Sequence, residues 1–187
     1  MNPTSRSRDT AANFVDVTAK LSLLMAALGI VWSLLQLLLV LALGQLDIAS
    51  WMQDEGFPVP AALVLAARHA TTLTLLMLLA SLALLAVSWA LLKHYEWGRI
   101  GFIVFLIVVA LANFALLPLV DGMFDAMQAI VPADFLSSPE ARDMRIQLQA
   151  SRWVSLLTVV GTALVFAALH GWLVFKLQRA EVRALFH

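Results

Sequence analysis

Cysteine is absent from this chain, which excludes disulfides, thiolate metal sites, thiol nucleophiles and acylation of a cysteine. Charge is sparse at 13% Asp, Glu, Lys and Arg, against about 25% in a soluble domain, so water is not the main solvent. No acid lies between Asp16 and Asp47 or between Glu96 and Asp121. Coupled transporters usually carry a buried carboxylate at such depths, so proton- or cation-coupled transport is disfavoured. No phosphate-cradling glycine loop, serine elbow or HExxH zinc motif is present, which removes the most recognisable catalytic signatures. The net charge is zero and no nucleic-acid partner is expected. The in/out alternation of membrane barrel strands is missing too.

What the chain has instead is apolar length. Four stretches, Leu21–Leu43, Thr71–Leu92, Ile100–Leu119 and Trp153–Phe175, are each long enough to cross a hydrocarbon core as a helix, because about 30 Å needs roughly 20 residues at 1.5 Å rise. In lipid the backbone must satisfy its own hydrogen bonds, so runs this uniform read as α-helices. The first stretch far exceeds the roughly 7–15 residues of a secretory h-region and is expected to stay as an anchor. The expected fold is all-α: one integral membrane domain over 1–187, with transmembrane helices at about 20–44, 61–93, 98–120 and 138–178. Outer loops at 45–60 and 121–137 are expected to carry short amphipathic helices.

Charge sets an expected orientation. Arg6, Arg8, Lys20, Lys93, Arg99, Lys176, Arg179 and Arg183 fall on one side, while Arg68, Arg142, Arg145 and Arg152 fall on the other beside eight acids. The positive-inside rule then puts both termini in the cytoplasm and the two longer loops outside. The turn Lys93–Arg99 ties the second and third helices into a tight antiparallel hairpin, with Tyr95 and Trp97 at headgroup depth.

The outer loops carry helix signals. Asp47 caps a short helix through about Glu55 that Gly56, Pro58 and Pro60 end, and Pro60 suits the first position of the next helix. Met123, Phe124, Met127, Ile130 and Val131 fall on one face opposite Asp125 and Gln128, an amphipathic helix of about two turns. That face rests on the membrane or bundle top, or else receives a partner. Ser137-Ser138-Pro139-Glu140 has the spacing of a capping box, from which the fourth helix runs on without a breaker. Pro118 marks the end of the third helix or a kink.

Within the membrane, Gln36, Thr74, Asn113 and Thr158 are expected at similar depth as a polar layer. Its plain reading is weak interhelical hydrogen bonding, with Gln36 able to meet Asn113, and its sharper one a solute or headgroup pocket. His94 and His170 are the one pair that could hold a haem. His94 belongs to the charged turn and His170 lies about a turn and a half deeper, so no cofactor is expected. Gly29, Ser33, Gly161 and Gly171 mark expected close approaches, Gly161 sharing a small face with Ser155 and Thr158.

Phe14–Lys20 leading into a helix that reaches Gln36, together with Leu91-Leu92-Lys93-His94-Tyr95-Glu96-Trp97-Gly98-Arg99, resembles a recurring layout of small, uncharacterised bacterial four-helix inner-membrane proteins. Their inner turn typically closes Trp-Ala-Arg; here Gly98 replaces the alanine. The resemblance implies a bacterial inner-membrane protein and carries over no catalytic residue. Tetraspanins share the outline, but this chain lacks their loop cysteines. The expected function is non-catalytic, with no metal or catalytic site: binding or scaffolding a membrane or periplasmic partner through the outer loops or helix faces. The alternative is a passive conduit or lipid-handling protein, working as a homo-oligomer.

Overall fold

A computed structural model describes residues 3–44, 61–130 and 139–187. The expected helix at 47–55, the Pro58/Pro60 break, the Ser137-Ser138 helix start and Val131 lie outside them. Along the chain run α1 (Pro3–Gly44), α2 (Ala61–Leu92), α3 (Glu96–Phe114), α4 (Leu116–Ile130), a 3-10 turn (Pro139–Ala141), α5 (Arg142–Leu177) and the single turn α6 (Ala180–Arg183). Among the described residues all regular structure is helical, and four helical spans are long and apolar enough to cross a membrane. Their outward side chains are mostly apolar, from Leu21, Leu24, Leu28 and Val31 on α1 to Leu157, Leu164 and Val165 on α5.

Two boundaries differ from the sequence expectation. The first helix starts at Pro3, well before residue 20. Ala11, Phe14, Val15, Thr18 and Ala19 recur at helical spacing, and burying Ala11, Val15 and Ala19 gives this polar-flanked stretch a tertiary reason to stay helical. The second difference concerns the expected amphipathic helix around Met123, which is not a separate piece within a loop but part of α4, starting at Leu116. The break sits earlier, at Ala115. Pro118 has no N–H and its ring crowds the carbonyl four residues back, that of Phe114, where α3 ends. The helix resumes at Leu116, so the proline interrupts the helix without ending it.

Packing follows chain order: α1 lies along α2, α2 along α3, and α3 with α4 along α5. The core gathers at the hairpin end, where Val15, Ala19, Leu91, Phe102, Leu177 and Val182 form one buried cluster. The turn there is a Schellman motif, with Tyr95 N–H donating to Ala90 O and His94 N–H to Leu91 O, each at 3.0 Å. His94 takes the left-handed conformation, φ 59°, a position usually given to glycine. Gly98 is required by close approach: a Cβ there would stand 2.6 Å from the Ala90 carbonyl carbon and 2.7 Å from Leu91 N.

Arg99 fastens the far side of the hairpin. It is 7% exposed; its Nε donates to Glu96 Oε2 at 2.9 Å and its Nη2 pairs with Glu96 Oε1. Nη1 reaches the Leu177 carbonyl at 3.4 Å, so a cation meets the last carbonyls of α5. The chain after α6 completes the seal. His187 N–H donates to His94 O at 3.2 Å, and Glu96 N–H to His187 O at 3.1 Å.

Of the expected close approaches, Gly29 is one, since a Cβ there would meet Ser81 Oγ at 2.7 Å, and Ser33 is buried. Gly161 and Gly171 are not: nothing lies within 4 Å of a Cβ at either position. Glycine spacing alone does not say which helix face has a neighbour.

Candidate functional site

Between α4 and α5 lies a cleft of about 720 Å³. Leu117 and Pro118 on α4, with Leu148, Trp153 and Leu156 on α5, make its apolar walls. Asp121, Gln128, Arg145, Gln149 and Arg152 supply its polar groups. Helical spacing accounts for the placement. Arg145, Gln149 and Arg152 stand at i, i+4 and i+7 on one face of α5, and Leu117, Asp121 and Gln128 lie on the facing side of α4.

Arg152 ties the two walls together. Its Nε donates to Asp121 Oδ1 at 2.7 Å, Nη2 meets the same oxygen at 2.5 Å, and Nη1 donates to Asp125 Oδ1 at 2.8 Å. Both carboxylates are engaged through one oxygen each, and their side chains stay 42% and 63% exposed. A fork of N–H donors held by two acids is an ordered arrangement, because guanidinium geometry fixes where each oxygen sits. Along the helices Asp121 lies 22 residues from Arg99, about 33 Å at 1.5 Å each, close to the thickness of a hydrocarbon core. The ion pair therefore lies far from the hairpin along the bundle, with the apolar walls of Leu117, Pro118 and Leu156 on its hairpin side.

The expected polar layer divides. With Gly29 against Ser81, the antiparallel register of α1 and α2 sets Gln36 level with Thr74. Thr74 is buried and donates to the Ala70 carbonyl at 2.9 Å, while Gln36 Oε1 is buried with no hydrogen-bond partner. Asn113 donates to Val109 O at 2.9 Å, and Thr158 to Val154 O at 2.7 Å. The hydroxyls and the amide thus bond back to their own helices, the local alternative open to such side chains. The Arg99–Leu177 and Arg152–Asp125 contacts put Asn113 level with the buried Ala163, about five residues or 8 Å nearer the hairpin than Thr158.

On α4, Met123 and Met127 are 56% and 48% exposed and Phe124 is half-buried, while Asp121 and Asp125 turn towards Arg152. The side chain of Ile130, like Val131, lies outside the described residues. His94 packs against Phe186, ring centroids 5.6 Å apart, and His170 Nδ1 hydrogen-bonds the Phe166 carbonyl at 2.6 Å. Each imidazole has its own neighbour. Among the described residues no three or more His, Asp or Glu side chains come together as metal ligands. Sequence reasoning placed Asp121, Arg145 and Arg152 only by their charge, and Asp125 only as lying opposite the Met123 face. The step of four and three between Arg145, Gln149 and Arg152 was the signal that they share a face.

No protein-family model matches the chain, and no curated protein or solved structure matches it either.

Proposed function

We propose that this is a multi-pass protein of a bacterial inner membrane, with both termini cytoplasmic, which acts by binding an amphiphile in the cleft between α4 and α5. The cleft is the observation that carries the reading. Its walls are apolar on the hairpin side and its rim holds ordered charge far from the hairpin along the bundle. A molecule with an acyl chain and a polar head fits that gradient; a purely polar solute would leave the apolar walls against water. The exposed aromatics Trp89, Tyr95, Trp97 and Trp172 cluster at the hairpin end, where an interfacial belt belongs. The eight-to-four split of basic residues supports the orientation. The test is lipid retention. Protein purified from membranes should carry bound lipid, detected by native mass spectrometry, and Leu117→Trp, which fills the cleft, should lose it while keeping its helix content. Retention unchanged in that variant refutes the reading.

A second reading, scaffolding of a partner, is favoured by one observation: Met123 and Met127 are exposed on the face of α4 turned away from Arg152. Exposed apolar surface rimmed by charge marks many interaction sites. Photocrosslinking from position 127 in native membranes separates the two. A discrete protein adduct supports the scaffold, and lipid adducts alone remove it.

A further inference from the structure

At the hairpin end of α5 two cations lie over exposed rings. Lys176 Nζ stands 5.6 Å from the centre of the Trp172 ring, and Arg179 Cζ stands 5.4 Å from that of Phe175. Each pair is four residues apart, the spacing that stacks side chains on one helical face. Lys176 is in the last turn of α5, and Arg179 follows with ψ 143°, where the chain leaves the helix. Trp172 and Phe175 are 50% and 61% exposed, so both rings face outward from the bundle. Trp172 is steadied from α1 by Phe14, edge to face with ring centroids 5.9 Å apart. A long cationic stem laid along an outward ring near a helix end keeps its carbons in hydrocarbon and its charge at headgroup depth.

Both charges are available. Among the described residues Lys176 and Arg179 pair with no carboxylate, whereas Lys20 takes Asp16 at 3.4 Å and Arg99 takes Glu96. After Trp153 the sequence holds one acid, Glu181, against Lys176, Arg179 and Arg183. The Leu177 carbonyl at the end of α5 is met by Arg99 Nη1 at 3.4 Å. A ring face attracts a cation through its quadrupole and offers no oxygen, so the ammonium and guanidinium keep N–H donors for an external anion.

We infer that the stripe of Trp172, Phe175, Lys176 and Arg179 is a surface site for an anionic phospholipid, with the phosphate on the two cations and the acyl chains along the two rings. This rests on the chain residing in a membrane and not on the cleft, whose α5 wall runs from Arg145 to Leu156. A net negative head is favoured over a zwitterionic one, because two cations repel an added ammonium. A lipid is favoured over a free phosphate, which would leave the outward faces of Trp172 and Phe175 uncovered.

The test uses the full chain in detergent, stripped of native lipid and equilibrated with equal amounts of phosphatidylglycerol and phosphatidylcholine of identical acyl chains. Bound lipid is read by native mass spectrometry. The lipid lost in the double variant Lys176→Gln, Arg179→Gln should be phosphatidylglycerol over phosphatidylcholine by about 25-fold, a factor of about five for each cation near an anionic head. Both side chains point outward, so helix content should be unchanged; if the double variant does not fold, the two single variants take its place, each lowering phosphatidylglycerol retention about fivefold. Phe175→Leu, which removes a ring and keeps the apolar surface, should lower it by about two- to fivefold. Lys93→Gln with Arg183→Gln removes the same charge at the same end of the bundle and should leave the retention in place. An equal loss in that control assigns the preference to diffuse charge and overturns the site. Loss of the phosphatidylglycerol preference in Leu117→Trp places that lipid in the cleft, which overturns this inference and leaves the amphiphile reading standing. Equal retention of both lipids by the unaltered protein overturns it too, as does displacement of phosphatidylglycerol by inorganic phosphate at the same concentration.

Discussion

Gly98→Ala is the perturbation whose sign the structure reverses. In a solvated helix the change stabilises by roughly 0.5–1 kcal/mol, because glycine loses more backbone freedom on folding. At position 98 the new Cβ would lie 2.6 Å from both the carbonyl carbon and the Cβ of Ala90, and 2.7 Å from Leu91 N. Two of those three atoms are backbone of α2, held by the Tyr95-to-Ala90 and His94-to-Leu91 hydrogen bonds. No rotamer change removes them. The hairpin must open by several tenths of an ångström, and overpacking of this kind costs about 1–3 kcal/mol. For a chain of this size that lowers the melting temperature by roughly 2–12 °C. Six native tryptophans make intrinsic-fluorescence melting in detergent a direct assay. Two controls sharpen it. At Gly101 the Cβ would meet a side-chain atom, Val87 Cγ1, at 2.9 Å, and since that side chain can turn, Gly101→Ala should cost less than Gly98→Ala. At Gly161 nothing lies within 4 Å, so Gly161→Ala should be neutral or stabilising by up to about 1 kcal/mol. A Gly98→Ala protein that melts at or above the wild type, or a reversed order across the three, refutes the packing argument.

Val182 is 4% exposed in the cluster that joins α6 to α1, so Val182→Ala should destabilise by about 1–3 kcal/mol from lost burial and a residual cavity, checked in the same melting assay. Asn113 donates only to the carbonyl of its own helix, so Asn113→Leu should shift stability by about 1 kcal/mol or less; a larger loss would reveal an interhelical bond. The chain has no cysteine, which allows single cysteines to be placed without background. Gln128→Cys at the cleft rim should label with an impermeant thiol reagent in intact spheroplasts and Gln178→Cys beyond α5 should not; labelling of the second alone reverses the orientation.

Much of the architecture was legible because apolar length is a local property. A stretch such as Thr71–Leu92 must be a helix wherever the backbone lacks water, and the short turn at Lys93–Arg99 leaves its two helices no arrangement but an antiparallel hairpin. The amphipathic pattern around Met123 was equally local, and α4 is helical there. The extension of α1 back to Pro3 was not expected, because the stretch before Lys20 is polar-flanked and what holds it is tertiary burial of Ala11, Val15 and Ala19. Its partners in the core come from distant parts of the chain, among them Leu91, Phe102, Leu177 and Val182.

Amino-acid order by itself determined the helical class, the apolar spans and the charge asymmetry between the two ends, since each depends on residues close in the chain. Tertiary structure alone decided how those helices meet. It left Gly161 and Gly171 facing open space, brought Gly98 against the backbone of Ala90 and Leu91, and separated Asn113 from Thr158 in depth. The cleft belongs to that second group. It exists because α4 continues past Pro118 and because the register of α4 and α5 sets Arg152 between Asp121 and Asp125. Register is a relation between surfaces distant in sequence, and periodicity within one helix carries no information about it.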